Sequence, residues 1–261
     1  MLSFTVDAPP GSLRVLGVRV DAVTYRDVLE RAAAIFGGAG ARQIVTLNPE
    51  MLLQALRDAD LASAIDSAEL VVPDGVGLLL AGRLLGRPLP GRVTGVDLVP
   101  RLCQLAAERG WSVYFLGAAP GVAELCATVL RSRLPALRVA GCYSGSPALE
   151  EQDAILARLA EARPDLLLVA YGVPAEEKWI ARNLDRLPAR LAMGVGGAFD
   201  FIAGVVPRAP VWMRRWGLEW LYRLYRQPWR WRRMLALPVF LLRVLAEAAR
   251  TQLTCRHRGG G

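Results

Sequence analysis

The feature that most constrains this chain is a repeated alternation. Short runs rich in β-branched residues recur between stretches of helical periodicity over the first 200 or so residues. Residues 12–23 read as a strand or hairpin, and residues 43–47, 69–72, 113–116, 138–142, 166–170 and 190–193 read as strands. Between them, residues 25–36, 50–68, 76–85, 97–108, 122–134, 150–162 and 175–183 have the spacing of amphipathic helices. Strand, helix and strand in such alternation predict a mostly parallel sheet covered on both faces, a Rossmann-like α/β fold.

Past Gly204 the character changes. Arg208, Arg214, Arg215, Arg223, Arg226, Arg230, Arg232 and Arg233 are interleaved with Trp212, Trp216, Trp220, Trp229 and Trp231, and Glu219 is the only acid among them. An apolar helix-like stretch, 234–249, follows and is expected to break at Pro238. The expected organisation is a Rossmann-like core over 1–204 and a helical, Arg/Trp-rich appendage over 205–261.

With 261 residues, 53% of them hydrophobic, the chain can bury a sizeable core. Its net charge of +8 points to an anionic partner. Lys178 is the only lysine, so the excess is carried by Arg, whose planar fork suits phosphate; a GC-rich genome accounts for the same bias. Cys103, Cys126, Cys142 and Cys255 form no C-x-x-C pair, and the single histidine, His257, lies in a Gly- and Arg-rich tail. Zinc, disulfide and histidine-based chemistries are therefore not expected, and Cys103 and Cys126 fall at core-like helix positions. The N-terminus lacks a basic region followed by an apolar core, and the longest apolar run near the end, nine residues over 234–242, is far short of the roughly 20 that span a bilayer. A cytoplasmic or peripheral protein is expected.

Ligands of open α/β sheets bind beyond the carboxyl ends of the strands. Candidates are thus the segments Thr46-Leu47-Asn48-Pro49-Glu50, Pro73-Asp74-Gly75, Gly117-Ala118-Ala119-Pro120-Gly121, Tyr171-Gly172-Val173-Pro174 and Gly194-Val195-Gly196-Gly197. Each has a plain alternative, since strand-to-helix turns need Gly, Pro and Asn in any case. The two Gly-rich turns can aim amide hydrogens at an anion but lack a P-loop lysine. Asp74 is placed either as a general base facing the crevice or as the N-cap of the next helix. Asp58-Ala59-Asp60 has the form of a metal-binding D-x-D, within a helical stretch where capping or solvent exposure is the alternative. The Arg/Trp segment suits stacking on nucleic acid, docking on an anionic membrane, or pairing with a diphosphate over the site; the adjoining apolar stretch favours the membrane.

Taken in order, these motifs resemble a known family. Thr46-Leu47-Asn48-Pro49-Glu50, Pro73-Asp74-Gly75, Arg92-Val93-Thr94-Gly95-Val96-Asp97, Phe115-Leu116-Gly117, Gly172-Val173-Pro174-Ala175-Glu176-Glu177 and Gly194-Val195-Gly196-Gly197-Ala198-Phe199-Asp200 are followed by Arg208-Ala209-Pro210 and Gly217-Leu218-Glu219-Trp220-Leu221-Tyr222-Arg223. The series resembles the WecG/TagA/CpsF family of bacterial glycosyltransferases, glycosyltransferase family 26, over about residues 14–245.

The resemblance implies an inverting transfer of a hexose or N-acetylhexosamine from a UDP-sugar to an undecaprenyl-diphosphate-linked saccharide, in cell-surface or exopolysaccharide synthesis. It implies no cofactor and no metal, and peripheral attachment to the anionic inner face of the plasma membrane. Asp74 maps onto the proposed base, with Thr46 and Asn48 near it and Arg92 and appendage arginines (Arg208, Arg215, Arg223, Arg226) facing the departing diphosphate. Gly75, Thr94, Gly95, Asp97, Gly117, Gly172, Pro174, Glu176, Glu177, Gly196, Gly197 and Asp200 complete the expected substrate-binding set. The family commonly reads G-x-P-K-Q-E where this chain has Ala175 and Glu176, and an ionised Glu only accepts hydrogen bonds where Gln also donates. A non-catalytic nucleotide- or nucleic-acid-binding module is the rival from another class, and a transferase with a soluble acceptor is a second. Homo-oligomer contacts stay open, because apolar helix positions serve packing between subunits as well as within one.

Overall fold

A computed structural model describes residues 11–38, 40–226, 228, 231 and 235–258 of the chain. It opens with a hairpin of β1 (Ser12–Val15) and β2 (Val18–Asp21), turned by Leu16 and Gly17, both at positive φ. Such a two-residue turn matches the twist of the paired strands. Helix α1 (Tyr25–Ile35) begins at a capping box in which Thr24 accepts from the Asp27 N–H and Asp27 accepts from the Thr24 N–H.

Six parallel strands follow: β3 (Arg42–Leu47), β4 (Leu70–Pro73), β5 (Ser112–Gly117), β6 (Arg138–Tyr143), β7 (Leu166–Ala170) and β8 (Leu191–Gly194). Their order across the sheet is β4-β3-β8-β7-β5-β6, with Ile44 beside Leu70 on one flank and Met193 on the other. The expected Rossmann-like α/β architecture is what the chain forms. Helices α4 (Val76–Leu84), α5 (Gly95–Arg109), α6 (Val122–Arg133), α7 (Leu149–Ala162), α8 (Ala175–Asn183) and α9 (Ala198–Ile202) connect and cover the strands.

Alternate strand residues feed opposite faces. Val113, Phe115, Leu166 and Leu168 join the core under α1, α5, α6 and α9, where Cys103 and Cys126 are also packed. Tyr114, Leu116, Leu167 and Val169 point the other way, to α7 and α8.

Two expectations need correction. Residues 50–68 are not one helix but two, α2 (Pro49–Ala55) and α3 (Ala59–Ser67). Asp58 breaks them: its side chain accepts from the Leu61 N–H as the N-cap of α3, an arrangement that favours a new start over a continued helix. Pro238, in turn, breaks nothing. It sits in the first turn of the last helix, which we label α12 (Ala236–Arg258), where a missing N–H has no intrahelical partner to lose.

After α9 the chain passes through α10 (Val211–Arg215) and α11 (Glu219–Arg226) before reaching α12. Phe240 and Val244 of α12 are wholly buried in one cluster with Leu47, Met51, Leu52, Leu78 and Ala81. Glu247 accepts from the Leu16 N–H at 3.0 Å, tying α12 to the hairpin turn. The opposite side of this region is bare: Trp216 is 78% exposed, Tyr225 81% and Leu242 68%. No helix among the described residues is long and apolar enough to cross a membrane.

Candidate active site

The carboxyl ends of β3 and β4 open into a cavity of about 240 Å³. Asp74 stands on its floor because β4 ends at Pro73 and the Asp74 N–H is bound by the Leu47 carbonyl at 2.7 Å. The Gly95 N–H donates to Asp74 Oδ2 at 3.2 Å and orients the carboxylate. Asp74 is not the cap of α4: that position belongs to Gly75, at φ 117°, with no side-chain cap. Of the two placements open for Asp74 in the sequence, the structure shows the crevice one.

Neighbouring motif residues have structural duties. Asn48 caps α2, its Oδ1 accepting from the Met51 N–H at 2.9 Å, and still lines the cavity. Thr46 is buried, with its side chain against Gly95. Thr94 caps α5 and donates to Asp97 Oδ2 at 2.8 Å. Beneath it stands Tyr25, whose hydroxyl accepts from the Thr94 N–H at 2.9 Å and lies 3.2 Å from Thr94 Oγ1.

The roof comes from the turn between α10 and α11, through Gly217, from α11, through Glu219 and Trp220, and from α12, through Ala236 and Leu237. Arg208 reaches Asp97 with both Nη atoms, at 2.6 and 2.9 Å, and Glu219 with Nε at 3.0 Å. Partial burial opposes ionisation of Asp97, but hydrogen bonds from Arg208 and Thr94 and the charges of Arg208 and Arg214 outweigh it and hold its carboxyl at about 2. Arg208 is thus already neutralised. Arg92 also lines the cavity and donates to the Arg214 carbonyl at 3.0 Å, with no carboxylate partner among the described residues.

The remaining expected residues lie elsewhere, at the ends of β5, β7 and β8. Gly117 lets β5 approach β7, since a Cβ there would meet the Ala170 backbone at 2.7 Å. Glu176 is buried and accepts from the Gly172 N–H at 2.8 Å and the Gly196 N–H at 2.9 Å, so the amides of the Gly-rich turn after β8 are directed at a carboxylate of the chain itself. Burial pushes Glu176 up to about 7 against those amide bonds. Glu177, fully buried beside it, is raised by burial and by the Glu176 charge, and accepts from Gln43 Nε2 at 2.6 Å. Pro174 and Gly197 immediately precede α8 and α9, and Asp200 is in the first turn of α9. None of these lines the cavity around Asp74.

Asp58 is engaged by Lys178 at 2.9 Å, with Asp60 also within 3.4 Å of that amine, so the D-x-D motif is spent on a surface ion pair. Among the described residues no cluster of three His, Cys, Asp or Glu is arranged to hold a metal. Arg226 is exposed and outside the cavity; the side chains of Arg215 and Arg223, and those of Cys255 and His257, lie outside the described residues, as do Trp229, Arg230, Arg232 and Arg233. Sequence reasoning passed over Tyr25, for which no local signal exists 69 residues before Thr94. Glu219, the lone acid in an Arg-rich run, did carry one.

Comparison with known proteins identifies the family of the chain. The model of the family described as "Glycosyl transferase WecG/TagA/CpsF family" matches residues 13–254. The chain belongs to the WecG/TagA/CpsF glycosyltransferase family. Among relatives of this family, the N-acetylglucosaminyldiphosphoundecaprenol N-acetyl-beta-D-mannosaminyltransferase of Bacillus subtilis (strain 168) is 35% identical over 204 residues, 78% of this chain and 79% of the relative. The enzyme of the same name from Bacillus spizizenii is 36% identical over 202 residues, 77% of this chain and 78% of the relative. That of Staphylococcus aureus (strain MRSA252) is 30% identical over 238 residues, 90% of this chain and 92% of the relative. As a WecG/TagA/CpsF member, this chain is a glycosyltransferase.

Proposed function

We propose that the chain transfers a hexose or N-acetylhexosamine, with inversion, from a UDP-sugar to an undecaprenyl-diphosphate-linked saccharide during synthesis of a cell-surface polymer. The observation that carries this reading is Asp74, fixed by the Gly95 amide on the floor of a cavity walled by Arg92 and Arg208. Asp74 takes the proton of an acceptor hydroxyl as that oxygen bonds to the anomeric carbon. The bond from that carbon to the diphosphate oxygen breaks, and UDP leaves. The relatives' names specify an N-acetylmannosaminyl group and an N-acetylglucosaminyl diphospholipid, the donor sugar and acceptor to test first.

Charge on the departing diphosphate falls to Arg92, the cavity arginine with no carboxylate partner among the described residues, in a site where such electrostatic stabilisation is a large catalytic term. Asp58 and Asp60, held by Lys178, supply no metal ligands to it. The exposed Trp212, Trp216, Tyr225 and Leu242 suit the headgroup level of a membrane, and neighbouring arginines its anionic charge. That supports a peripheral enzyme on the inner face of the plasma membrane, with residues from 205 onward as its membrane-associating part.

The test is UDP release from a panel of UDP-sugars, with and without a lipid-diphosphate-linked acceptor and with and without EDTA. Acceptor-dependent release that survives EDTA is expected. Asp74→Asn should lower kcat by about 10²–10⁴, the span of general-base catalysis, while UDP-sugar still binds. Full turnover by that variant overturns the assignment.

A further inference from the structure

A second cavity, of about 400 Å³, adjoins the catalytic one between α2 and α12. It shares Glu50 and Ala236 with the catalytic cavity and continues along Leu53, Gln54, Arg57, Val239 and Arg243. The continuity follows from helix geometry. Glu50, Gln54 and Arg57 fall on successive turns of α2 and its C-terminal extension, and Ala236, Val239 and Arg243 are spaced i, i+3 and i+7 on α12. Each series runs from the edge of the catalytic cavity to an arginine about 10 Å further on, at 1.5 Å per residue.

Two features mark this cavity as more than a seam between helices. No ion pair among the described residues involves Arg57 or Arg243, although both line the same space. Gln54 Oε1, one turn nearer Asp74, is buried with no hydrogen-bond partner among the described residues. An unsatisfied acceptor followed by two unpaired guanidinium groups is complementary to a hydroxylated ring followed by a polyanion.

The chemistry of the proposed reaction asks for such a place. Donor and acceptor each carry a diphosphate, and the two polyanions repel when brought to one anomeric centre unless each has its own cations. Arg92 serves the donor, and Arg208 is already paired with Asp97 and Glu219. We propose that the cavity between α2 and α12 seats the diphosphate of the lipid-linked acceptor between Arg57 and Arg243, with its first sugar over Gln54 and the reacting hydroxyl at Asp74. This rests on the reading of the acceptor as a lipid diphosphate. Leu242, next to Arg243, is 68% exposed, and Leu245 is 48% exposed, so the isoprenoid leaves the diphosphate directly over an apolar face of α12.

The test is calorimetric binding of farnesyl diphosphate, a soluble isoprenoid diphosphate, to the full chain in detergent, which needs no turnover. The wild type and Asp74→Asn should bind alike, and the doubly substituted Arg57→Gln, Arg243→Gln protein at least tenfold more weakly at an unchanged melting temperature. Arg57→Lys with Arg243→Lys should fall between, because lysine keeps the charge without the fork. Equal binding by the glutamine variant, or no binding by the wild type, overturns the proposal. So does a variant that loses only its attachment to phosphatidylglycerol vesicles, which makes the pair a headgroup contact. Failure of the transferase reading looks different: no UDP release with any donor while farnesyl diphosphate binding remains.

Discussion

Arg208 lies in bidentate contact with Asp97, Nη1 to Oδ1 at 2.6 Å and Nη2 to Oδ2 at 2.9 Å, across 111 residues of chain. The pair joins the N-terminal turn of α5, which carries the Gly95 amide that orients Asp74, to the segment that leads into α10. Because the folded Asp97 carboxyl is depressed to about 2, its stabilisation is present above the ordinary value of 3.8 and is lost as pH falls toward 2. Asp97→Asn should therefore lower the unfolding free energy measured with urea near neutral pH, by about 1 kcal/mol once solvent screening of this partly exposed pair is allowed for. The difference from wild type should shrink steadily below pH 4. A gap that is the same at pH 3 and pH 7 contradicts the role given to this pair.

Glu176 gives the opposite pH dependence. Its carboxyl is raised from 4.5 to about 7 by burial, so wild-type stability should fall as pH climbs through that window, while the unfolded chain ionises and the folded one resists. Glu176→Gln removes the charge and leaves a carbonyl for the Gly172 and Gly196 amides. At pH 8 the variant should be more stable than wild type by roughly 1–3 kcal/mol, with the two converging near pH 4.5. Parallel melting-temperature profiles across that range count against it.

Gly217 holds α10 and α11 against the start of α4. It sits at φ 71°, and a Cβ there runs into Val76, two residues after Asp74. Gly217→Ala should lift the roof from the cavity and lower kcat/KM by tenfold or more, with little change in the melting temperature of the α/β core. A fully active variant would show that the roof adjusts freely.

Phe240 is wholly enclosed by the cluster that includes Leu47, Met51 and Leu78. Phe240→Ala should cost about 3–5 kcal/mol, read as a lowered denaturation midpoint. A chain cut before residue 236 should for the same reason lose cooperative unfolding and collect in aggregates. Recovery of a soluble, cooperatively folding fragment would show that α12 is dispensable to the core.

Much of this was legible in the sequence, for identifiable reasons. The strand over Leu166–Ala170 is a short, wholly apolar run, and the helix over Ala175–Asn183 carries its periodicity within the segment itself. Asp74 was visible as a candidate because the strand-end rule needs only the position of β4. What was not legible depends on contacts distant in sequence. Asn48 and Thr94 read as site residues, while their cap bonds became plain only with the helix starts placed. The Glu176 motif showed an altered residue, but not that its carboxylate bridges the turns after β7 and β8. Arg57 and Arg243 are unremarkable surface arginines until the fold sets them around one cavity.

The two sides of α12 make folding and attachment one equilibrium. Phe240 and Val244 close the core on the inner side, while Leu242 and Leu245 look outward. Anything that binds the outer side of the docked helix, and not of the unfolded chain, stabilises the whole fold by mass action. The same helix presses Leu237 toward Gly77 at the cavity wall. A surface that captures α12 therefore also holds the wall of the catalytic cavity in place, so that the enzyme is most completely assembled where its outer helix is occupied.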